Sequence, residues 1–184
     1  EKDYKKAFEW YEKAFESYKK AASQGDANAQ YKLGDMYYYG EGVEKDSKKA
    51  FEWYEKAASQ GDEKAETTIS AIKGDANAQY ELGDMYYYGE GYYYGEGVEK
   101  DYKKAFEWYE KAASQGLTIA QYKLGNMYYD GKGVEKDYKK AFEWYEKVAS
   151  QGFADAQYNL GNMYYYGEGV EKDSKKAIEW YEKA

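Results

Sequence analysis

The chain has 184 residues, of which 34% are charged and 21% aromatic, and its net charge is −8. That balance excludes nucleic acid as a partner, because phosphate binding needs a positive field; the lysines are interleaved with glutamates, as on a solvated helix surface. There is no Cys, His, Arg or Pro, so disulfides, thiolate chemistry and the commonest catalytic bases and zinc ligands are missing.

High charge alone would mean disorder, but 27 Tyr, 6 Phe and 5 Trp give a core enough apolar area to bury. No run of roughly 18 apolar residues exists, so no membrane insertion is expected. The chain opens at Glu1, without an initiator Met and in mid-repeat, which reads as a fragment. Its compartment stays open: cytoplasmic or, if a signal peptide was lost, periplasmic or secreted. Lysine without arginine points to an AT-rich coding genome or a consensus design.

In chain order, residues 1–25 read as a long helix B of an incomplete repeat. From Asp3 to Gly25 it runs seven residues longer than Asp101 to Gly116. Seven residues are about two helical turns, so the apolar stripe keeps its face and gains Phe15 and Tyr18. Residues 26–61 form a complete repeat. Its helix A, about Ala27 to Tyr39, carries Ala29, Leu33, Met36 and Tyr37 on one face. Gly34 lies beside that face; a helical Gly costs about 1 kcal/mol against Ala, which close helix contact would explain. Gly40 stops the helix, Val43 plugs the core, and Asp46 caps helix B. Helix B buries Ala50, Trp53, Tyr54 and Ala57. Trp10, Trp53, Trp108, Trp144 and Trp180 recur at one helix-B position and read as inward core.

Residues 62–116 are irregular. Asp62 to Gly74 resembles a degraded helix A with Ala65, Ile69 and Ile72 as its stripe, and no helix B follows before the next helix A at Asp75. The loop after Met85 writes YYYGEG twice, so Tyr92, Tyr93 and Tyr94 form either a loop contact surface or the residue of a neutral duplication. Residues 117–152 and 153–184 are two further copies, the last truncated. Full copies span 36 residues. One helix pair cannot bury its own face, so the copies must stack. The expected fold is all-α, a right-handed α/α solenoid of antiparallel helix pairs and a single domain over 1–184.

The residues Ala78-Gln79, Leu82-Gly83, Met85-Tyr86, Gly95, Gly97-Val98, Asp101, Lys104-Ala105, Trp108-Tyr109 and Lys111-Ala112-Ala113 resemble the Sel-one-like repeat, a relative of the tetratricopeptide repeat. Four copies plus the opening helix B carry the pattern, and 62–74 departs from it. The resemblance implies a superhelical scaffold, bacterial in many members, that serves as an adaptor in protein complexes; some members look like immunity or regulatory partners.

In such solenoids the A helices line the concave surface. The face carrying Tyr31, Asp35 and Tyr38 recurs as Tyr80, Asp84, Tyr87, as Tyr122, Asn126, Tyr129, and as Tyr158, Asn162, Tyr165. It is either a ladder for an extended peptide or packing between adjacent A helices. The leading expectation is a non-catalytic protein- or peptide-binding scaffold using that ladder. The alternatives are a spacer that self-associates end to end, and a regulatory or immunity domain attached to an enzyme elsewhere. No catalytic residue, cofactor or metal is expected. The acidic loop around Glu41, Glu44 and Asp46 lacks the spaced carboxylates of a calcium loop, and its Asp serves as a cap.

Overall fold

The computed structural model describes residues 2–89 and 98–184, with side-chain surroundings from Trp10 onward. Among the described residues there are ten α-helices and no strand. Tyr92, Tyr93 and Tyr94 lie outside them. The chain divides into two compact units, 1–73 and 74–184.

In the first unit, α1 (Lys2–Ser23), α2 (Ala27–Tyr39), α3 (Ser47–Ala58) and α4 (Glu63–Ile72) pack each on the next. In the second, α5 (Ala76–Tyr88), α6 (Tyr102–Ser114), α7 (Thr118–Asp130), α8 (Tyr138–Ala149), α9 (Ala154–Tyr166) and α10 (Ser174–Tyr181) do the same. Helices α2, α5, α7 and α9 are A helices; α3, α6, α8 and α10 are B helices. The B-helix caps Asp101, Asp137 and Asp173 stand one repeat apart, and each carboxylate accepts from two backbone N–H groups of its first turn.

The A helices begin in two ways. Asp26 and Asp75 accept from the backbone of Ala29 and Ala78, as Asp62 before α4 does from Ala65. At α7 and α9 that position is Leu117 and Phe153, and no side chain caps the helix. Losing such a cap costs about 1 kcal/mol. Phe153 offsets it by packing on Tyr122, with ring centroids 5.0 Å apart.

The helical glycines make room for a tyrosine. A Cβ on Gly34 would stand 2.6 Å from the Tyr54 ring, and one on Gly83 the same distance from Tyr109. Gly125 faces Tyr145 and Gly161 faces Tyr181 in the same way. The close helix contact expected at Gly34 is therefore a B-helix ring lying flat on the A-helix backbone.

The opening helix corrects one expectation. Trp10 is 64% exposed, not core, whereas Trp108 is buried beneath Lys111, and Trp53, Trp144 and Trp180 are half-buried beneath Lys56, Lys147 and Lys183. The cause is register. A Cβ on Gly133 would strike the backbone of Tyr102, the first residue of α6, and one on Gly42 strikes the backbone of Tyr11. Tyr11 therefore stands where Tyr102 does, which sets Trp10 before that start and Ser17 at the tryptophan position. The sequence KAFEWYE at 6–12 is followed by KAFESYK at 13–19; the extra seven residues are a repeated heptad, and Phe15 and Tyr18 of its second copy join the core.

Helix α4 starts as an A helix does, but its stripe is rotated. Lys64, Ala65, Thr68 and Ala71 are buried, while Ile69 and Ile72 are only half-buried. Thr68 is drawn inward by the Tyr31 hydroxyl, 3.4 Å away, and the Lys64 ammonium lies over the Tyr31 ring.

Candidate functional site

The Asp or Asn that follows each helical Gly is held from within. Tyr54 Oη donates to Asp35 at 2.7 Å, Tyr109 to Asp84 at 2.5 Å, Tyr145 to Asn126 at 2.7 Å and Tyr181 to Asn162 at 2.9 Å. The arrangement follows from the sequence: Gly admits the ring, and the next side chain meets its hydroxyl. Burial raises the pKa of Tyr54, Tyr109 and Tyr145 above the ordinary tyrosine value, and the neighbouring carboxylate adds to it at Tyr54 and Tyr109.

This corrects part of the expected ladder. Tyr31 is 0% exposed, covered by Tyr54, Lys64 and Thr68. Asp35 and Asp84 are buried beneath their tyrosines. A partner reaches none of the three. Tyr38, Tyr80, Tyr87, Tyr122, Asn126, Tyr129 and Asn162 are half-buried, and Tyr158 and Tyr165 are exposed.

Four ladder residues meet. Tyr87 of α5, Asn126 and Tyr129 of α7, and Asn162 of α9 line one pocket of about 280 Å³. Asp130, Tyr145 and Asn159 complete it. Sequence reasoning missed these three. Tyr145 holds the helix-B position whose equivalent, Tyr54, the sequence places on the buried face. Asn159 was overlooked although it lies one turn from Asn162 on α9, which puts both on one helix face.

Every charge at the pocket has a partner. Lys132 Nζ is 2.9 Å from Asp130 and donates to Tyr87 Oη at 3.0 Å; these bonds to Tyr87 and Asp130 raise its pKa. Tyr129 Oη donates to Glu168 at 2.6 Å, which together with burial raises the Tyr129 pKa. Lys136 lies over the Tyr129 ring and donates to Tyr138 Oη at 3.0 Å, a bond that raises its pKa. Beside the pocket, Lys123 Nζ is 3.1 Å from Asp84 and donates to Tyr88 Oη. Burial pulls the Lys123 pKa down, but these two partners outweigh it and hold it above the usual lysine value.

Among the described residues no group of three His, Cys, Asp or Glu side chains is placed to hold a metal ion. No described helix is long and apolar enough to cross a membrane.

Stacked helix pairs with a 36-residue period, joined by Gly–Tyr contacts, define an α/α repeat protein. The Sel1 repeat profile matches 1–17, 18–26, 27–62, 76–117, 118–153 and 154–184; the chain belongs to the Sel1 repeat family. The unmatched stretch is α4 with its flanks. The first break in the matches falls inside the repeated heptad.

Among solved structures, the chain is similar to a protective antigen of uropathogenic Escherichia coli displaying an SLR fold: 38% identity, 92% of this chain and 32% of that one covered, TM-score 0.54. A Sel1 repeat protein from Oxalobacter formigenes gives 33% identity, 90% and 42% coverage and a TM-score of 0.56. The chain spans about a third of the first and two-fifths of the second. No curated protein matches the sequence. Sel1 repeat proteins are generally protein-interaction scaffolds without catalytic activity.

Proposed function

We propose that the chain is a non-catalytic scaffold that holds a partner protein by an extended segment laid along the A helices of 74–184. The observation that carries this reading is the pocket at which three successive A helices converge, with tyrosine rings for apolar area and side-chain amides for hydrogen bonds. Tyr87, Asn126, Tyr129 and Asn162 are the contact residues, with Tyr80, Tyr122, Tyr158 and Tyr165 extending the face. The half-buried Tyr38 is the corresponding residue of the first unit.

The test uses a displayed library of random dodecapeptides, selected on the wild-type chain and on Asn159→Lys. Lysine stands at the equivalent position in α7, as Lys123, so the fold tolerates it. Peptides that bind the wild type and lose Asn159→Lys support the reading. A library that yields no binder, or binders indifferent to the substitution, overturns it.

A second reading is self-association through α9 and α10, favoured by exposed Tyr158, Tyr165, Tyr166 and Ile178. The equivalent Tyr122 and Tyr129 are engaged by Asn159 and Glu168 of the following repeat. Sedimentation that does not change with concentration, or that Tyr158→Glu leaves unaltered, refutes it.

A further inference from the structure

We infer that the pocket between α5, α7 and α9 selects an uncharged carboxamide, the side chain of Gln or Asn in the bound segment. The inference rests on the peptide-binding reading and adds the chemistry of the residue that fills the pocket.

The donor and acceptor pattern comes first. Asn126 Oδ1 and Asn162 Oδ1 accept from Tyr145 and Tyr181. That orientation agrees with the equivalent Asp35 and Asp84, which can only accept there. The two Nδ2 groups make no hydrogen bond to any described residue. Asn159 is turned the other way. Its Nδ2 donates to Tyr122 Oη at 3.3 Å, which leaves its Oδ1 without a donor among the described residues. The pocket thus offers two N–H₂ donors and one carbonyl acceptor. A carboxamide presents the complement, one carbonyl and one N–H₂. A carboxylate would leave the Asn159 oxygen unmatched, and an ammonium would leave both donors unmatched. Leaving buried polar groups unpaired is what makes such a site selective.

Charge points the same way. The chain carries −8 overall, which by itself would favour a basic segment. At the pocket, however, the one charged residue among the described lining residues, Asp130, is paired with Lys132, and the nearby Glu168 already accepts from Tyr129. The volume, about 280 Å³, holds one side chain and part of its backbone, and Tyr87, Tyr129 and Tyr145 among the lining residues supply apolar surface for its methylenes.

The probes are blocked pentapeptides, Ac-Ser-Gly-X-Gly-Ser-NH₂ with X as Gln, Glu, Lys or Leu, titrated into ¹⁵N-labelled protein. The readout is the side-chain N–H₂ signals of Asn126, Asn159 and Asn162. The Gln peptide is expected to shift all three saturably, at least about tenfold tighter than the others, and with little change across about 50–500 mM salt. Asn126→Asp keeps the tyrosine bond, as Asp84 does, but removes one donor. It should weaken the Gln peptide about tenfold and raise the rank of the Lys peptide. Equal affinity for all four peptides, Lys binding tightest to the wild type, or an unchanged preference in Asn126→Asp overturns the inference. If the library yields segments that Asn159→Lys releases but that show no Gln or Asn preference, this inference falls and the scaffold reading stands. If the library yields no binder, both fall.

Discussion

Replacing Gly83 by Ala in the middle of α5 ought to stabilise the protein by about 1 kcal/mol if helix propensity decided the matter. The structure predicts the opposite sign. The new Cβ would stand 2.6 Å from two carbons of the fully buried Tyr109 ring, so the ring must retreat by nearly an ångström to reach ordinary contact. Overpacking of this kind costs about 1–3 kcal/mol. The retreat also draws Tyr109 Oη away from Asp84, and a bond to a charged acceptor contributes about 1.5–3 kcal/mol. After the propensity gain, a net loss of about 3 kcal/mol is expected, read as a lower urea midpoint by circular dichroism. Gly161→Ala should cost less, because its partner Tyr181 is only half-buried. The decisive experiment is the double-mutant cycle. In a Tyr109→Ala background the clash is gone, and Gly83→Ala should become neutral or stabilising. If Gly83→Ala stabilises the wild type, or costs the same in both backgrounds, the ring-on-glycine account is wrong.

Three further outcomes follow from the same contacts. Tyr109→Phe should cost about 2 kcal/mol and Tyr145→Phe about 1 kcal/mol, because the first breaks a bond to a carboxylate and the second a bond to an amide; equal urea-midpoint shifts would contradict this. Thr118→Ala should raise stability by about 1 kcal/mol. The Thr118 hydroxyl holds Gln151, and the buried Gln121 Oε1 is left without a donor, whereas Gln60 and Gln115 donate to Gln30 and Gln79; an unchanged or lower midpoint would show that Gln151 does not return. Stability should be fully present below pH 10 and fall above it. Unfolded tyrosines ionise near that value, while Tyr54, Tyr109 and Tyr145 keep their protons in the fold. Each contributes a decline of about 1.4 kcal/mol per pH unit up to its folded pKa, and urea midpoints from pH 8 to 11 that stay flat would refute the burial of those hydroxyls.

Period and caps were legible in the sequence because they are local. Asp46 precedes its helix by one residue, Gly40 ends one, and the helical Gly marks a close approach whatever approaches it. What could not be read was set by neighbours. Tyr31 and Tyr158 hold the same place in their repeats, yet one is 0% and the other 55% exposed. The difference lies in the next helix: α4 covers Tyr31 with Thr68 and Lys64. Trp10 misled for a different reason, since its motif matches the other tryptophans by identity but not by distance to Gly25. Counting back from the closing glycine, instead of forward from the N-cap, would have put Ser17 at that position. Asn159 was hidden because its part depends on Tyr145 and Asn126, which belong to other helices.

The near-identity of the repeats at first argues against a surface tuned to one partner, since tuned surfaces diverge from copy to copy. The few differences carry the answer. After the helical Gly the first two copies have Asp35 and Asp84, and the last two Asn126 and Asn162; three residues earlier stand Lys32, Glu81, Lys123 and Asn159 in turn. At the junction of α5 and α7, Asp84 meets Lys123 at 3.1 Å. At the next junction Asn126 accepts from the Tyr145 hydroxyl and Asn159 donates to Tyr122. A carboxylate and an ammonium have been lost together, so the junction stays neutral while the B-helix tyrosine keeps its bond, Tyr109 to Asp84 in one repeat and Tyr145 to Asn126 in the next. Stacking alone did not require the change, because the charged pair already serves it one repeat earlier. The effect is to replace a closed ion pair by amides with spare donors and an acceptor. Three of the seven residues lining the pocket are these asparagines. The copies also differ at 117–119 and 153–155, but the exchange of this charged pair for amides falls on the pocket itself, where the proposed segment would be read.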